Sequence, residues 1–460
     1  GIALMCLAES LMRIPDTQTR DALINEKLTS AKWSEHLGKA ESFLVNSATW
    51  GLTFSKEFLQ ASTHASNNWL IALGKKIGES SIREAVQVAM QVLSKEFVCA
   101  ESIGELNHSS WLKGNPCSFD MLGEASRNEE QSIQYFESYM ESIHLISKIN
   151  LAEGLNNGIS IKLSALYSKY DALHVRNVNQ FLLPRLKDLI VDAVKKDVAV
   201  TMDAEEQDRL SLSLDLIKNL ALDPAIKSWP GLGLAVQAYG KRSLGVIDWL
   251  DNLSHGREKM HVRLVKGAYW DYEIKNAQVK GLKDYPVFTN KQLTDLNYLV
   301  TAKRLMECEK LKSSFATHNA HSIASIMSLS QSSKNEIEFQ RLYGMGELLY
   351  SACHSTYERF PDTTIYCPVG HHKELLPYLV RRLLENGANS SFINKYLNTN
   401  IPAEDLAQNP ANMIKEKIDH LDLSNIELPR NLYLPRINSQ GFDLNEQDCL
   451  QELMEEVDQF

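Results

Sequence analysis

The sequence predicts an α/β fold: a distorted (β/α)8 barrel of the TIM type, preceded by an all-helical arm. Eight short apolar segments alternate with longer amphipathic ones over about 270 residues, the size expected of such a barrel. Polar side chains follow almost every apolar segment. No segment is followed by the G-x-G-x-x-G pattern of a doubly wound dinucleotide-binding sheet, which is the competing fold.

The composition is that of a folded protein without a basic surface. The 460 residues are 44% hydrophobic, and their net charge is −10, so we expect no nucleic-acid partner for this segment. No run of about 18 apolar residues suggests a membrane-spanning helix. The seven cysteines form no C-x-x-C pair, a pattern typical of reduced thiols in a cytoplasmic protein and not of a zinc site.

Residues 1–105 are expected to form the helical arm. Leu4, Leu7 and Leu11 keep helical spacing until Pro15 ends it, and Ser81-Ile-Arg-Glu84 is a capping box ahead of a second apolar stripe. Because the sequence starts at Gly1 inside a helical pattern and has no initiator Met, we expect a segment of a longer protein.

Residues 106–396 are expected to form the barrel. The eight predicted strands are Ser118–Leu122, Ile159–Leu163, Val198–Met202, Leu232–Gln237, His261–Val265, Ser314–Thr317, Glu338–Leu342 and Thr363–Cys367. A capping box at Ser126-Arg-Asn-Glu129 predicts a long helix that reaches Ile149, and a second helix is predicted over Asn179–Lys195.

The polar residues at the strand ends predict a functional barrel mouth, because the carboxyl ends of barrel strands converge. They are Asp120, Glu124, Lys162, Ser164, Asp203, Glu205, Glu206, Gln237, Tyr239, Arg263, Lys266, Tyr269, Trp270, Thr317, His318, Asn319, Gln340 and Tyr366.

Two of these groups allow more than one interpretation. Lys162 either pairs with Asp120 or Glu205, or it binds an anion. The run Asp203-Ala-Glu-Glu206 can supply a hard metal ion or a general base, but the favoured interpretation is that it holds nearby Lys and Arg side chains.

A metal site is a weaker interpretation. Thr317-His-Asn-Ala-His321 carries two histidines, but at a strand end they do not project together and no third ligand is evident, so we expect no metal. The corresponding alternative function is a metal-dependent barrel lyase or hydrolase that uses Asp203, Glu205, His318 and His321.

The segment from Arg263 to Trp270 suits a phosphate-bearing aromatic cofactor. The Gly267-Ala268 pair allows a ligand to approach the backbone, and Tyr269 and Trp270 offer stacking surface. The alternative is a structural strand whose aromatic residues belong to the core.

The stretch from Tyr357 to Phe392 predicts a strand, a Pro-Val-Gly turn and a helix over Lys373–Glu385. Tyr378, Arg381, Arg382 and Glu385 share one face of that helix. Adjacent arginines suit a small carboxylate, whereas the alternative is a solvated amphipathic helix. Residues 397–460 contain four prolines and predict a C-terminal linker or tail, in which LPRNLYLPRINSQG is typical of an extended linker.

The motifs KLSAL from Lys162, DAEE from Asp203, VQAY, RLVKGAYW, ATHN, YERFPDTTIYCPVG and LLPYLVRRLLENGANSSF resemble the proline dehydrogenase module of the bifunctional proline utilization A flavoenzymes. GIALMCLAESLMRIPD and FLVNSATWGL are similar to the helical arm of that family. The resemblance covers nearly the whole chain in the right order. It leaves out the ribbon-helix-helix DNA-binding segment that some members of the family carry. It also leaves out the C-terminal aldehyde dehydrogenase module, a partner expected in the parent chain.

The resemblance implies non-covalent FAD and the oxidation of L-proline to Δ1-pyrroline-5-carboxylate by hydride transfer from proline C5 to flavin N5. The electrons would pass to ubiquinone, so the protein would be cytoplasmic and peripherally membrane-associated. The positions that match FAD contacts are Asp203, Gln237, Arg263, Val265, Lys266, Gly267, Ala268, Tyr269, Trp270, Thr289, Thr317, His318, Asn319, Gln340, Arg382, Glu385 and Phe392.

The resemblance also implies the substrate site. The positions that match proline contacts are Lys162, Asp203, Leu342, Tyr366, Tyr378, Arg381 and Arg382, and those with implied catalytic roles are Lys162, Asp203, Tyr366, Arg381 and Arg382. A non-catalytic regulatory or scaffold fragment is the remaining alternative.

Overall fold

The computed structural model describes residues 97–107, 110–333, 335–370, 408–419 and 426–459, and the single positions 16, 18, 19, 22, 378 and 381. The chain divides into two compact units. One comprises Gly1–Glu101 and Gly370–Ala388, and the other comprises Ser102–Val369 and Asn389–Phe460. The predicted division into 1–105, 106–396 and 397–460 stays a prediction.

The larger unit is a closed barrel of eight parallel strands, which confirms the predicted fold class. Each strand pairs with its neighbours in chain order, and the last strand pairs with the first. The strands are β1 Cys117–Met121, β2 Gly158–Ile161, β3 Val200–Met202, β4 Leu232–Gln237, β5 Met260–Val265, β6 Leu311–Ala316, β7 Ile337–Leu342 and β8 Thr363–Val369.

Alternation along the strands separates a polar barrel interior from an apolar outer face. In β1, the side chains of Ser118 and Asp120 lie on the inner face of the barrel. There they bond Ser160 of β2 and Lys162, which follows β2. Cys117 and Phe119 point the other way and are 1% and 0% exposed. The apolar core of the unit therefore lies between the barrel wall and the surrounding helices.

Ten helices of eight or more residues are described within this unit. They are α1 Glu129–Glu153, α2 Leu183–Lys196, α3 Leu210–Ala221, α4 Ser243–Ser254, α5 Trp270–Lys280, α6 Lys291–Glu307, α7 Ala320–Ser330, α8 Glu347–Thr356, α9 Pro410–Asp419 and α10 Gln447–Asp458. On α2, Leu186, Leu189, Ile190 and Ala193 form the buried stripe, as a helix on a barrel requires.

Two predicted helix starts are wrong in detail. The cap of α1 is Asn128, whose side chain accepts a hydrogen bond from Gln131 N, while Ser126 bonds the Ser132 hydroxyl and the Ser164 carbonyl instead. The predicted helix from Asn179 begins as a π-helical segment, Val178–Leu182. Pro184 accounts for this, because it has no N–H to donate in a regular α-helical turn.

The predicted turn after β8 is also placed differently. The strand continues through Pro368 and Val369, which pair with Asp120 and Met121 of β1, and Leu122 N donates to Val369 O over 2.8 Å. Proline has no backbone N–H to donate. A residue within a strand donates its single N–H to only one of the two neighbouring strands, so Pro368 costs the sheet one hydrogen bond.

The predicted C-terminal linker or tail over residues 397–460 stays a prediction. The residues that the structure describes in this range are not all extended. They include α9 and α10, and the segment between them lies on the barrel, where Tyr285 OH donates to Glu427 O over 2.7 Å and Gly441 N donates to Gly281 O over 2.8 Å. Pro410 begins α9 and Pro429 begins a short 3-10 helix, positions at which a missing N–H costs no helical hydrogen bond.

In the smaller unit, few residues are described. Tyr378 and Arg381 are helical, Tyr378 is buried and Arg381 is half-buried, and Gly370 N donates to Ala100 O over 3.0 Å. The predicted helices of the arm and His371-His372 lie outside the described residues. Among the described residues, no helix has both the length and the apolar character that crossing a membrane requires.

We expect Asn128→Ala to lower the free energy of unfolding by about 1 kcal/mol, because it leaves the first turn of α1 without its side-chain acceptor. Urea titration followed by far-UV circular dichroism measures the loss. Gln134→Ala, at an exposed position inside the same helix, is the control and should change stability by less than about 0.5 kcal/mol. Equal effects of the two changes would contradict the capping role.

Candidate active site

Four charged side chains converge inside the carboxyl end of the barrel. Lys162 follows β2, and its Nζ contacts Asp120 Oδ1 from β1 and lies 3.1 Å from Asp203 Oδ2, which follows β3. Arg263 of β5 completes the group, with Nη1 2.9 Å from Asp203 Oδ1. We name Asp120, Lys162, Asp203 and Arg263 the lumen cluster. It balances two cationic side chains with two acidic ones in a buried place.

Arg263 is held from several sides. Its Nε donates to Gln340 Oε1 over 2.6 Å, and its Nη2 donates to Ser118 Oγ and Ser160 Oγ over 2.9 and 3.0 Å. The side chain is 4% exposed. A guanidinium in such a place is fixed in direction as well as in charge.

Tyr366 of β8 closes the cluster. Its hydroxyl donates to Asp203 Oδ2 over 2.7 Å, and the Arg263 guanidinium carbon lies 5.0 Å from the centre of its ring. Asp203 thereby bonds a lysine, an arginine and a tyrosine.

The cluster fixes the protonation of its members. Burial disfavours charge on Lys162 and Asp203 alike. Asp120 and Asp203 nevertheless hold the pKa of the Lys162 ammonium well above its usual range, and Lys162 and Arg263 hold the pKa of the Asp203 carboxyl below its usual range. Lys162 is therefore a cation and Asp203 an anion at neutral pH. Neither is a base poised near pH 7.

Glu205 and Glu206 hold an arginine, as the favoured interpretation of the acidic run predicts. Arg209 Nη1 lies 3.0 Å from Glu206 Oε2 and 3.5 Å from Glu205 Oε2, and Ser164 N donates to Glu205 Oε1 over 3.0 Å. Burial raises the pKa of Glu205 to about 7, and Arg209 offsets this only in part.

The turn after β5 exposes its backbone at Gly267 and Ala268. Gly267 has φ +135°, and a Cβ there would overlap the ring of Tyr239, so the position requires glycine. Ala268 N donates to Gln237 Oε1 over 3.3 Å, and Gln237 Nε2 donates to Glu205 O over 2.8 Å. Gln237 therefore ties the turn after β5 to the turn after β3.

Cationic and aromatic groups border this turn. Lys266 Nζ lies 2.6 Å from Asp295 Oδ1, and Lys266 and Lys291 hold the pKa of Asp295 below its usual range against the effect of burial. Trp270 is 36% exposed, and its Nε1 donates to Phe288 O over 2.9 Å, beside the half-buried Thr289. Val265 ends β5, and the half-buried Tyr269 precedes Trp270.

The segment after β6 caps α7. Asn319 Oδ1 accepts from Ser322 N over 3.1 Å, and the buried Thr317 accepts from Asn319 N through Oγ1. His318 Nε2 accepts from Leu342 N over 3.0 Å, which engages a ring nitrogen that a metal would need. Within the described part of the chain, no three His, Cys, Asp or Glu residues are grouped to hold a metal ion.

The larger unit thus brings together most of the residues predicted for the site. Tyr378 and Arg381 belong to the other compact unit, so their place relative to the mouth stays a prediction. Arg382, Glu385 and Phe392 lie outside the described residues.

Three members of the site are not among the predicted site residues. The sequence indicates Asp120 only as a strand-end residue and as a partner for Lys162, and it does not single out Ser118 or Ser160. The signal was present in the spacing: Ser118 and Asp120, and likewise Ser160 and Lys162, are two residues apart and therefore share the inner face of the barrel.

Comparison with known proteins identifies the family of this barrel. The family model described as proline dehydrogenase matches residues 106–395, and one described as the DNA-binding domain of proline dehydrogenase matches residues 1–97. The chain is 43% identical to the Bifunctional protein PutA of Klebsiella aerogenes and 44% identical to that of Escherichia coli (strain K12), in each case over 96% of this chain and 35% of the relative.

A crystal structure of a Bradyrhizobium japonicum Proline Utilization A (PutA) mutant is similar with a TM-score of 0.74 at 39% identity. The match covers 99% of this chain and 47% of that one. The chain spans about a third of the length of the curated relatives.

We expect Glu205→Gln to stabilise the protein at pH 8 by roughly 2–3 kcal/mol. The pKa of Glu205 is about 7 in the folded state against an ordinary 4.5. Between pH 4.5 and pH 7, the folded state therefore holds a proton that the unfolded state has released. Wild-type stability relative to the variant should therefore fall as pH rises from about 4.5 to about 7, and should be level above that.

Urea titrations at pH 4, 6 and 8 measure this difference, and the variant keeps the acceptor for Ser164 N. Glu137→Gln, at an exposed position on α1, is the control. A stability difference that does not depend on pH would contradict the assignment of the pKa to Glu205.

Proposed function

The chain belongs to the proline dehydrogenase family, and from this premise we propose that it oxidises L-proline to Δ1-pyrroline-5-carboxylate with bound FAD at the barrel mouth. The observation that carries the proposal is the lumen cluster, which stands at the carboxyl end of a barrel whose residues 106–395 match this family. Catalytic groups of barrel enzymes lie at that end.

The residues around the mouth fit FAD. Gly267 and Ala268 expose backbone that a flat or anionic group can approach, and Lys266 adds a positive charge at the same turn. The α7 N-terminus behind Asn319 attracts phosphate, and Trp270 offers an exposed ring face. The neighbouring strand ends and turns carry the other residues proposed to contact FAD, which are Gln237, Val265, Tyr269, Thr289, Thr317 and His318. When bound, FAD supplies the acceptor for a hydride from the substrate.

Proline would bind beside the lumen cluster. Lys162 supplies a fixed positive charge for the substrate carboxylate, and Tyr366 supplies a ring wall whose hydroxyl is committed to Asp203. Arg381 and Arg382 are proposed to complete the carboxylate site, with Tyr378 and Leu342 bounding the pyrrolidine ring. Two guanidinium groups and an ammonium favour an α-carboxylate over a neutral amine.

Neither Lys162 nor Asp203 is a general base for the substrate amine. Lys162 stays protonated, and Asp203 is too weak a base because its pKa is held low. Proline is proposed to bind with its amine neutral, and the protein contributes orientation and electrostatics. Asp203 and Arg382 are proposed to serve both substrate and cofactor.

Further partners are proposed from the resemblance. Electrons would pass to ubiquinone, which requires peripheral contact of a cytoplasmic protein with a membrane, and an aldehyde dehydrogenase module would act on the product in the parent chain. We also propose that this segment binds no nucleic acid. The family model that matches residues 1–97 is named for DNA binding. These residues nevertheless carry as many acidic as basic side chains, and they lack the excess positive charge that DNA binding uses.

The purified protein should show flavin absorption bands near roughly 370 and 450 nm, and anaerobic titration with L-proline should bleach the 450 nm band. Steady-state turnover with an artificial electron acceptor measures the reaction, and L-alanine is the control substrate. A colourless protein whose activity requires a metal would contradict the proposal. Bound FAD without proline turnover would favour a non-catalytic fragment.

Arg381→Met and Arg382→Met should each raise the KM for proline strongly, because a charge-assisted bond to a carboxylate contributes about 2–4 kcal/mol. Initial rates over a range of proline concentrations measure the effect. Arg359→Met, on the loop before β8, is the matched surface control. An unchanged KM in both variants would remove the carboxylate assignment from this arginine pair.

A further inference from the structure

Gln340 is bonded to protein through both ends of its amide. Its Oε1 accepts from Arg263 Nε over 2.6 Å, and its Nε2 donates to Glu338 Oε1 over 2.7 Å. The side chain is 2% exposed, inside the barrel on β7. The resemblance implies a cofactor contact for Gln340, but in this arrangement its amide is committed to connecting a carboxylate with the guanidinium of the lumen cluster.

Glu338 determines which way this amide points. An ionised carboxylate only accepts hydrogen bonds, so it selects the NH2 end of Gln340 and leaves the carbonyl oxygen for Arg263. The reversed amide would set two oxygens against each other at Glu338 and two donors against each other at Arg263. Both mismatches would be buried and therefore costly.

Glu338 is itself held as an anion within the barrel. Ser314 Oγ donates to its Oε1 over 3.0 Å, Lys312 Nζ lies 3.5 Å from its Oε2, and His261 contacts Ser314 Oγ. Burial opposes the charge on Glu338, but the hydrogen bonds from the Gln340 amide and Ser314 and the positive charge of Lys312 hold its pKa below the usual range, and protonated His261 adds to this only at acidic pH. Burial lowers the pKa of His261 to about 4, so this histidine is neutral near pH 7.

We propose that Glu338 is a positioning residue, which orients the Gln340 amide and through it aims the Arg263 guanidinium at the reacting end of the site. This proposal rests on the proposed function, because the proposed function places bound FAD and proline next to Arg263. Glu338 acts on Arg263 through two hydrogen bonds in series, Glu338 to Gln340 and Gln340 to Arg263. Neither Glu338 nor Gln340 has to touch substrate or cofactor for this role.

The reduction potential of bound flavin distinguishes positioning from a simple charge effect. Removing the negative charge of Glu338 with Arg263 unmoved would raise the potential, because reduction adds negative charge to the site. If the Gln340 amide turns and Arg263 is displaced, the flavin loses a nearby cation and its potential falls. The sign of the change therefore separates the two roles.

The experiment compares wild type, Glu338→Gln, Gln340→Met and the double variant in the FAD-loaded protein. We expect Glu338→Gln to lower the flavin potential and to lower kcat/KM for proline about tenfold. In the Gln340→Met background, the same substitution should change kcat/KM by less than about twofold, because the connecting amide is already gone. Glu347→Gln, at an exposed carboxylate after β7, is the matched control and should change neither quantity.

The outcomes separate the two proposals. A wild-type protein that does not oxidise proline overturns the proposed function. An active wild type in which Glu338→Gln raises the potential, or acts equally in both backgrounds, overturns the positioning role. If Glu338→Gln does not fold by circular dichroism, Gln340→Met alone decides, with a lowered potential expected and an unchanged one contradicting the proposal.

Discussion

The carboxylate of Asp203 is the interaction on which the rest of the site depends. Three side chains from three other strands or strand ends, Lys162, Arg263 and Tyr366, bond its two oxygens. Two cations inside a barrel would repel each other at a large cost without buried anions between them. Asp203 therefore joins distant parts of the barrel circumference into one charged unit, and it also holds the groups that a substrate carboxylate would meet.

The turns around the mouth are joined by hydrogen bonds and not by apolar packing alone. Gln237 bonds the turn after β3 and the turn after β5. Glu273 of α5 accepts from Gln207 N, after β3, over 2.7 Å and from Tyr239 OH, after β4, over 3.4 Å. Tyr239 in turn supports the backbone at Gly267. A ligand at the exposed backbone of Gly267 would thus rest on a fixed surface, which lowers the entropic cost of binding it.

Much of the fold could be predicted from the sequence because a barrel strand carries its own pattern. Each of the eight predicted strands overlaps an observed one, and polar residues lie in or after the last residues of almost every strand, at the end where barrel strands converge. Pairing was less predictable. For a paired Lys162 the sequence indicates Asp120 or Glu205 as partner, whereas Lys162 bonds Asp120 and Asp203, because barrel geometry and not sequence distance decides which acid is near. The prediction of Ser126 as the cap of α1 is wrong for a similar reason. The Ser126 hydroxyl donates to the carbonyl oxygen of Ser164, a residue 38 positions away.

The pairing of β1 with β8, here called the seam, closes the barrel and determines when the site can form during folding. Asp120 lies on the first strand and Tyr366 on the last, and the seam brings together residues as far apart as Cys117 and Cys367, which are separated by 250 positions. Contacts at such separation form late in folding, because the entropy of closing a long loop has to be overcome first. During synthesis the ribosome must release β8 before the Asp203 carboxylate can gain its tyrosine partner. A nascent chain that extends beyond Arg263 but not as far as β8 therefore carries the four charged residues of the lumen cluster without the Tyr366 hydroxyl that completes it.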